Sequence, residues 1–92
     1  MSNRLSRTLI LKNKLGLHAR AATQLVKLSQ QFDASILLEA KGREASADSV
    51  LGLLLLEGHQ GQPVTLHCEG PDAEAALNAA SALIDAGFDE EQ

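Results

Sequence analysis

A chain of 92 residues with a formal net charge of −4, one cysteine, no Trp and no Tyr has room for one domain, residues 1–92, around one modest core. The negative charge and the lack of base-stacking aromatics argue against nucleic-acid binding. The leucine run at residues 53–56 is far too short to span a bilayer, and the first seven residues hold no apolar signal core. A lone Cys68 cannot close an intrachain disulfide, which suits a cytoplasmic protein. The charge is unevenly placed: residues 1–46 hold all eight Lys and Arg against three acids, a balance of +5, and residues 47–92 hold nine acids and no Lys or Arg, −9. Since His18 lies in the basic half, the split suggests either a solvated dipolar surface or steering of an anionic partner toward His18.

In chain order, residues 4–12 read as a strand, with Leu5, Leu9 and Leu11 of one parity. A turn at Asn13-Lys14-Leu15-Gly16 precedes a helix from about His18 or Ala19 to Gln31. Its inner side is marked by Ala22, Leu25, Val26 and Phe32. Residues 34–40 alternate as a second strand. Lys41-Gly42 signals a hairpin into a short strand over residues 43–46. Ser46, Asp48 and Ser49 compete to cap a helix over residues 50–56, with Gly58 as its stop. A fourth strand spans residues 64–69. Pro71, placed at the first helical position, opens a last helix whose apolar stripe is Ala73, Ala76, Leu77, Ala80, Leu83 and Ile84. Gly87 ends it, Phe88 packs back, and residues 89–92 form a loose acidic tail. The order βαββαβα implies an α+β fold, with a mainly antiparallel sheet covered on one face by helices.

The stretch that carries chemistry is Gly16-Leu17-His18-Ala19-Arg20-Ala21-Ala22. A glycine turn delivers a histidine to a helix start, among unpaired backbone N–H groups and at the positive end of the dipole. That is a place for an anion, phosphate above all. A phosphoryl acceptor must present a neutral ring nitrogen, and free histidine, titrating near ~6.5, does so at cytoplasmic pH. The helix end disfavours the imidazolium and favours the anionic product, each by about 0.3–1 kcal/mol. Arg20 offers a permanent charge and a planar fork suited to phosphate oxygens. At about 4 Å such a pair is worth ~1 kcal/mol in water and ~4 near a protein surface. The sequence places no acidic residue beside His18 as a general base, which phosphoryl transfer tolerates because it depends on positioning and electrostatics. On spacing alone, a cap or a surface His–Arg pair explains the same residues.

The helix at residues 50–56 is apolar at nearly every position. With Val50 or Leu53 and Leu56 facing the core, Leu51, Leu54 and Leu55 stay partly exposed, as a docking surface does. Ser49 is a natural cap; phosphorylated, it would add about −1.5 to −2 charge to that surface. His59, His67 and Cys68 show no metal-ligand spacing, and adjacent His67 and Cys68 point to opposite faces of a strand. The reading is therefore no metal and no cofactor, with Cys68 in the core and His67 on the surface.

The histidine motif resembles the active-site motif of HPr, the histidine phosphocarrier of the bacterial phosphoenolpyruvate-dependent phosphotransferase system. The likeness extends to residues 47–53, similar to the segment around that family's regulatory serine, and to residues 63–70. More narrowly, residues 13–16, 32–34 and 87–90 resemble the nitrogen-branch members, NPr. The resemblance implies an open-faced β-sandwich: a four-stranded antiparallel sheet, order 1-4-2-3, with three helices on one face. It implies a monomeric cytoplasmic carrier rather than an enzyme. His18 would accept a phosphoryl group on Nδ1 from an enzyme I-type protein and pass it to a IIA-type protein, the nitrogen-related one for an NPr. Arg20 would be the phosphate-side cation, Leu51, Leu54 and Leu55 the partner-binding surface, and Ser49 a possible regulatory phosphorylation site. The family's proline after the arginine is here Ala21, so a fixed φ is replaced by one more N–H donor. The alternatives are a sugar-branch HPr, a regulatory module binding partners through its unphosphorylated apolar helix, and a ferredoxin-like sensor suggested by element order alone.

Overall fold

The computed structural model describes residues 4–90. Strand β1 (Arg4–Ile10) pairs antiparallel with β4 (Pro63–Glu69), β4 with β2 (Ser35–Ala40), and β2 with β3 (Arg43–Ser46), giving the sheet order β1-β4-β2-β3. This is the open antiparallel sheet implied by the family resemblance. Period-two alternation sets its inner row: Ile36, Leu38, Ala40, Val64, Leu66 and Cys68 are buried. Ile36 stands opposite Cys68 and Leu38 opposite Leu66. The β2–β3 hairpin turns on Lys41 and Gly42, both left-handed with φ 53° and 76°, the conformation that matches the twist of the flanking strands.

Helices α1 (Ala19–Ser29), α2 (Val50–Leu55) and α3 (Ala73–Asp85) cover that row. With only two Phe and no Trp or Tyr, the core is built from aliphatic side chains. Leu11, Leu25, Leu38, Leu53, Leu66 and Ile84 are fully buried, each contributing roughly 1.5–3 kcal/mol. The buried Ala73, Ala76 and Ala80 of α3 let it approach the sheet closely. Val26, Phe32 and Leu83 are half-buried at the margin.

Several element ends shift by one or two residues from the sequence expectation, and three differences have a local reason. Pro71 lies outside α3, whose N-cap is Asp72. The Asp72 carboxylate makes no cap bond. It accepts instead from the Asp33 N–H at 2.7 Å, while the Asp72 N–H donates to the Asp33 carbonyl at 3.0 Å, pinning the loop before β2. Gly58 is not the residue that turns the chain after α2; left-handed Glu57 (φ 54°) does that. Gly58 is there for space, since a Cβ would lie 2.9 Å from Leu17 Cδ1 and 3.0 Å from Leu11 Cδ1. The acidic stretch is not loose at its beginning. Gly87, Phe88 and Asp89 are all left-handed (φ 64°, 56°, 58°) and turn the chain back after α3. For the two non-glycines this costs about 1–2 kcal/mol each, offset by full burial of Phe88, worth roughly 1.5–3 kcal/mol. Residues 91–92 lie outside the described residues.

Leu53 is fully buried while Leu51 on the same short helix is 67% exposed. Leu53→Ala should therefore cost about 2–5 kcal/mol in urea unfolding, and Leu51→Ala should stay within about 0.5 kcal/mol.

Candidate functional site

The loop between β1 and α1 is held before it presents any side chain. Gly16 (φ 62°) lies against the loop that follows α2; a Cβ there would stand 2.3 Å from the Gly58 carbonyl oxygen and 2.7 Å from His59 Cα. The Leu17 N–H donates to that same Gly58 carbonyl at 3.0 Å, and the His18 N–H donates to the Gly16 carbonyl at 3.0 Å. His18 is thereby delivered in extended conformation (φ −85°, ψ 177°) as the N-cap of α1. Its carbonyl accepts the first helical bond, from the Ala22 N–H at 2.9 Å.

The imidazole replaces the usual Ser, Thr, Asp or Asn cap. Nδ1 accepts from the Arg20 N–H at 3.2 Å, which requires a lone pair on Nδ1. Nε2 faces the Glu90 carboxylate and donates to Oε1. These two partners specify one neutral tautomer, with the proton on Nε2 and Nδ1 unprotonated. Oε1 also accepts from Nδ2 of Asn13, a fully buried side chain whose Nδ2 donates in addition to the Gly16 carbonyl at 2.7 Å. Asn13 thus joins the turn before His18 to the carboxylate after α3.

Glu90 responds to this setting. Burial pushes its carboxyl up, but the hydrogen bonds from Asn13 and His18, the charge of the His18 ring when it is protonated, and the charge of Arg20 outweigh that and hold it below the ordinary carboxylate range. The Glu90 side chain is 10% exposed and that of His18 23%, so the pair is shielded yet open on one side. That side is a cleft of roughly 600 Å³ lined by Leu15, His18, Arg20, Asp89 and Glu90. An anion entering it would meet Nδ1, the Arg20 N–H and the Arg20 charge together.

Beyond the cleft, Leu51 and Leu55 of α2 are exposed, Leu54 is half-buried, and the helix runs into the Gly58 segment that braces the histidine loop. Ser49 is the α2 cap, its Oγ accepting from the Gly52 N–H at 3.0 Å. Arg43 closes the other end, donating to the Leu55 carbonyl at 3.4 Å. On the outer face of the sheet, ligand atoms of Glu39, Glu44 and His67 come within 4.8 Å of one another, a grouping across strands that spacing along the chain does not reveal. Those atoms have partners: His67 Nε2 donates to Glu39 at 2.8 Å, Nδ1 meets Ser6 Oγ at 2.7 Å, and Glu44 pairs with Arg4 at 3.6 Å. Cys68 faces the core, where burial raises its thiol against the opposing pull of Arg7, as expected for an unreactive packing residue.

A family described as "PTS HPr component phosphorylation site" matches residues 5–86. The chain belongs to the HPr family. It is 54% identical over 87 residues to the phosphocarrier protein NPr of Shewanella violacea, covering 95% of this chain and 96% of that one. It is 46% identical over 85 residues to NPr of Escherichia coli K12, covering 91% and 94%. A crystal structure of HPr from Thermoanaerobacter tengcongensis superposes with a TM-score of 0.90 at 38% identity, over 96% of this chain and 99% of the other. The protein is accordingly a phosphocarrier of the phosphotransferase system rather than a catalyst.

In this HPr-family chain the fold brings His18 and Arg20 to one cleft. It leaves Leu51, Leu54, Leu55 and Ser49 on and at the start of α2. Ala21, directly after Arg20, is fully buried at the third helical position, so a small side chain is what the packing there accepts. Three residues of the cleft escaped sequence reasoning: Leu15, Asp89 and Glu90. Leu15, 66% exposed, sat in a segment read only as a turn. Glu90 is the acidic neighbour of His18 that adjacency in the chain could not supply. It also alters the charge argument, because the acidic half of the chain returns Asp89 and Glu90 to the histidine and the site is not uniformly basic.

The Gly16 contact is with backbone that cannot swing away, so Gly16→Ala should lower stability by more than about 1 kcal/mol and shift the amide signals of residues 16–18 and 58–59 together. With its carboxyl depressed, Glu90 contributes stability that is fully present above the unfolded carboxylate value and lost as pH falls through the folded one. The stability difference between wild type and Glu90→Gln should therefore be flat near neutrality and disappear on acidification.

Proposed function

We propose that His18 is the phosphoryl acceptor of this phosphocarrier, taking the group on Nδ1 from an enzyme I-type protein and handing it to a histidine of a IIA-type protein in the cytoplasm. The observation that carries the reading is the capping geometry: Nδ1 holds an unprotonated lone pair at the start of α1, directed at the Arg20 N–H. Phosphate oxygens arriving there would take over that N–H and gain the Arg20 guanidinium, while partner surfaces exclude water and strengthen both. The nitrogen branch is favoured because the relatives at 54% and 46% identity are named NPr, which supports a nitrogen-related IIA-type acceptor. Leu51 and Leu55, at 67% and 62% exposure, with half-buried Leu54 beside them, supply the apolar contact that both partners would use. A phosphoryl group on Ser49 would exchange the cap for negative charge next to that surface and so weaken docking. One domain acting as a monomer suffices for these steps.

The same exposed leucines support a second reading, in which the unphosphorylated protein also binds and regulates a target through α2, with phosphorylation altering the charge beside it.

Incubation with an enzyme I-type protein and phosphoenolpyruvate should add one acid-labile, base-stable phosphate. Persistence of that label in His18→Ala would refute the acceptor assignment. Arg20→Ala should slow transfer about tenfold or more, equivalent to about 1.4 kcal/mol, while changing unfolding by no more than about 0.5 kcal/mol. A pull-down separates the two readings: a captured protein that survives His18→Ala, disappears with Leu51→Asp and is neither an enzyme I-type nor a IIA-type protein belongs to the regulatory role.

A further inference from the structure

Taking Nδ1 as the acceptor leaves the other ring nitrogen to be explained. Resting on the acceptor assignment above, we propose that Glu90 is a positioning residue for phosphoryl transfer: it holds the proton on Nε2 of His18 and compensates the positive charge that the ring acquires when Nδ1 binds phosphorus.

The Nδ1 lone pair attacks the phosphorus of a phosphohistidine on the donor. The donor N–P bond breaks, its electron pair stays on the donor nitrogen, and the Nδ1–P bond forms. Nε2 keeps its proton throughout, so a neutral imidazole becomes a phosphoimidazolium. In the onward step the Nδ1–P electrons return to His18 as the acceptor histidine attacks, and the ring charge disappears. A phosphoimidazolium is the better leaving group. A ring that lost its Nε2 proton to water would hold the phosphoryl group more firmly and pass it on more slowly.

Several independent features place Glu90 for this task. Its Oε1 accepts from Nε2 of His18 on the side of the ring away from Nδ1, where it opposes the ring charge without standing in the path of the phosphoryl group. The buried Asn13 donates to the same oxygen and to the Gly16 carbonyl, tying the carboxylate to the turn that delivers His18. The segment leading to it is the left-handed hook Gly87-Phe88-Asp89, anchored by buried Phe88. Unfavourable backbone kept at such a place marks a position that the surrounding structure enforces. Arg20 acts on Glu90 through its charge, which leaves the guanidinium on the cleft side for phosphate.

Glu90→Gln keeps the shape and an acceptor oxygen but removes the charge; Glu90→Ala removes both. Each full-length variant is loaded with phosphoenolpyruvate and an enzyme I-type protein, chased with a IIA-type acceptor, and followed by nitrogen NMR of the His18 ring. Both should still load on His18 but transfer more slowly, Glu90→Ala by about tenfold and Glu90→Gln by less, with both variants still fully folded at the assay temperature at neutral pH. The Nε2 proton of the phosphorylated ring should survive to higher pH in wild type than in either variant. A merely structural Glu90 would not produce that spectroscopic difference. Transfer within about twofold of wild type in both variants, or an Nε2 proton lost at the same pH in all three proteins, overturns the role of Glu90. Absence of label on His18 in the wild type overturns the acceptor assignment and this proposal with it, and the two failures are distinct because the first leaves wild-type loading intact.

Discussion

The site depends on a place where two stretches of backbone touch without room for a side chain. Gly16 meets the Gly58–His59 backbone so closely that a Cβ at position 16 would overlap it, and the Leu17 N–H spans the same junction to the Gly58 carbonyl. Without that contact the loop after β1 would be an ordinary surface connection, free to sample many conformations at a cost of about 1–2 kcal/mol per residue whenever it was ordered. With it, the direction of the chain entering α1 is set, and His18 becomes the N-cap instead of a side chain on a mobile loop. Because Gly58 lies three residues beyond the end of α2, the junction also places the exposed leucines of that helix near the histidine loop.

A histidine in the capping position does two kinds of work at once. As a cap it satisfies an N–H of the first turn of α1, a role normally worth about 1 kcal/mol. As a ring whose two nitrogens have different partners, it is sorted into a nucleophilic side and a protonated side. The two roles are compatible for a carrier, because an incoming phosphate brings oxygens that replace the cap on the same N–H. Few groups are needed around the ring, in keeping with a phosphocarrier rather than a catalyst.

The charge pattern shows how a distribution along the chain can mislead about a distribution in space. All the Lys and Arg lie in the first half of the sequence and three quarters of the acids in the second, yet the sheet order and the hook after α3 bring the halves together. Lys12 pairs with Asp85 across the halves, Arg4 with Glu44 within the first half, and Glu90 reaches across to His18 and the field of Arg20. The first two pairs are solvent-exposed and stabilise little. The third is shielded, joined to a buried asparagine, and placed at the site.

The element order, the inner faces of the strands and the apolar stripe of α3 were legible in the sequence because each follows from local periodicity: alternation for strands, a 3.6-residue repeat for helices. His18, Arg20, the capping Ser49 and the exposed side of α2 were legible for the same reason, since cap chemistry and helix faces are set by residues within a turn or two of one another. What tertiary structure alone decided are the contacts between segments far apart in the chain. The space filled at Gly58 by Leu11 and Leu17, the use of Asp72 to pin Asp33 rather than cap α3, and the meeting of Asn13, His18 and Glu90 all depend on how packed elements are oriented. An exposed acidic stretch and a carboxylate held against a ring nitrogen have the same sequence. Burial of Phe88 on a left-handed hook makes this one the second, and it does so only once the core that receives Phe88 exists.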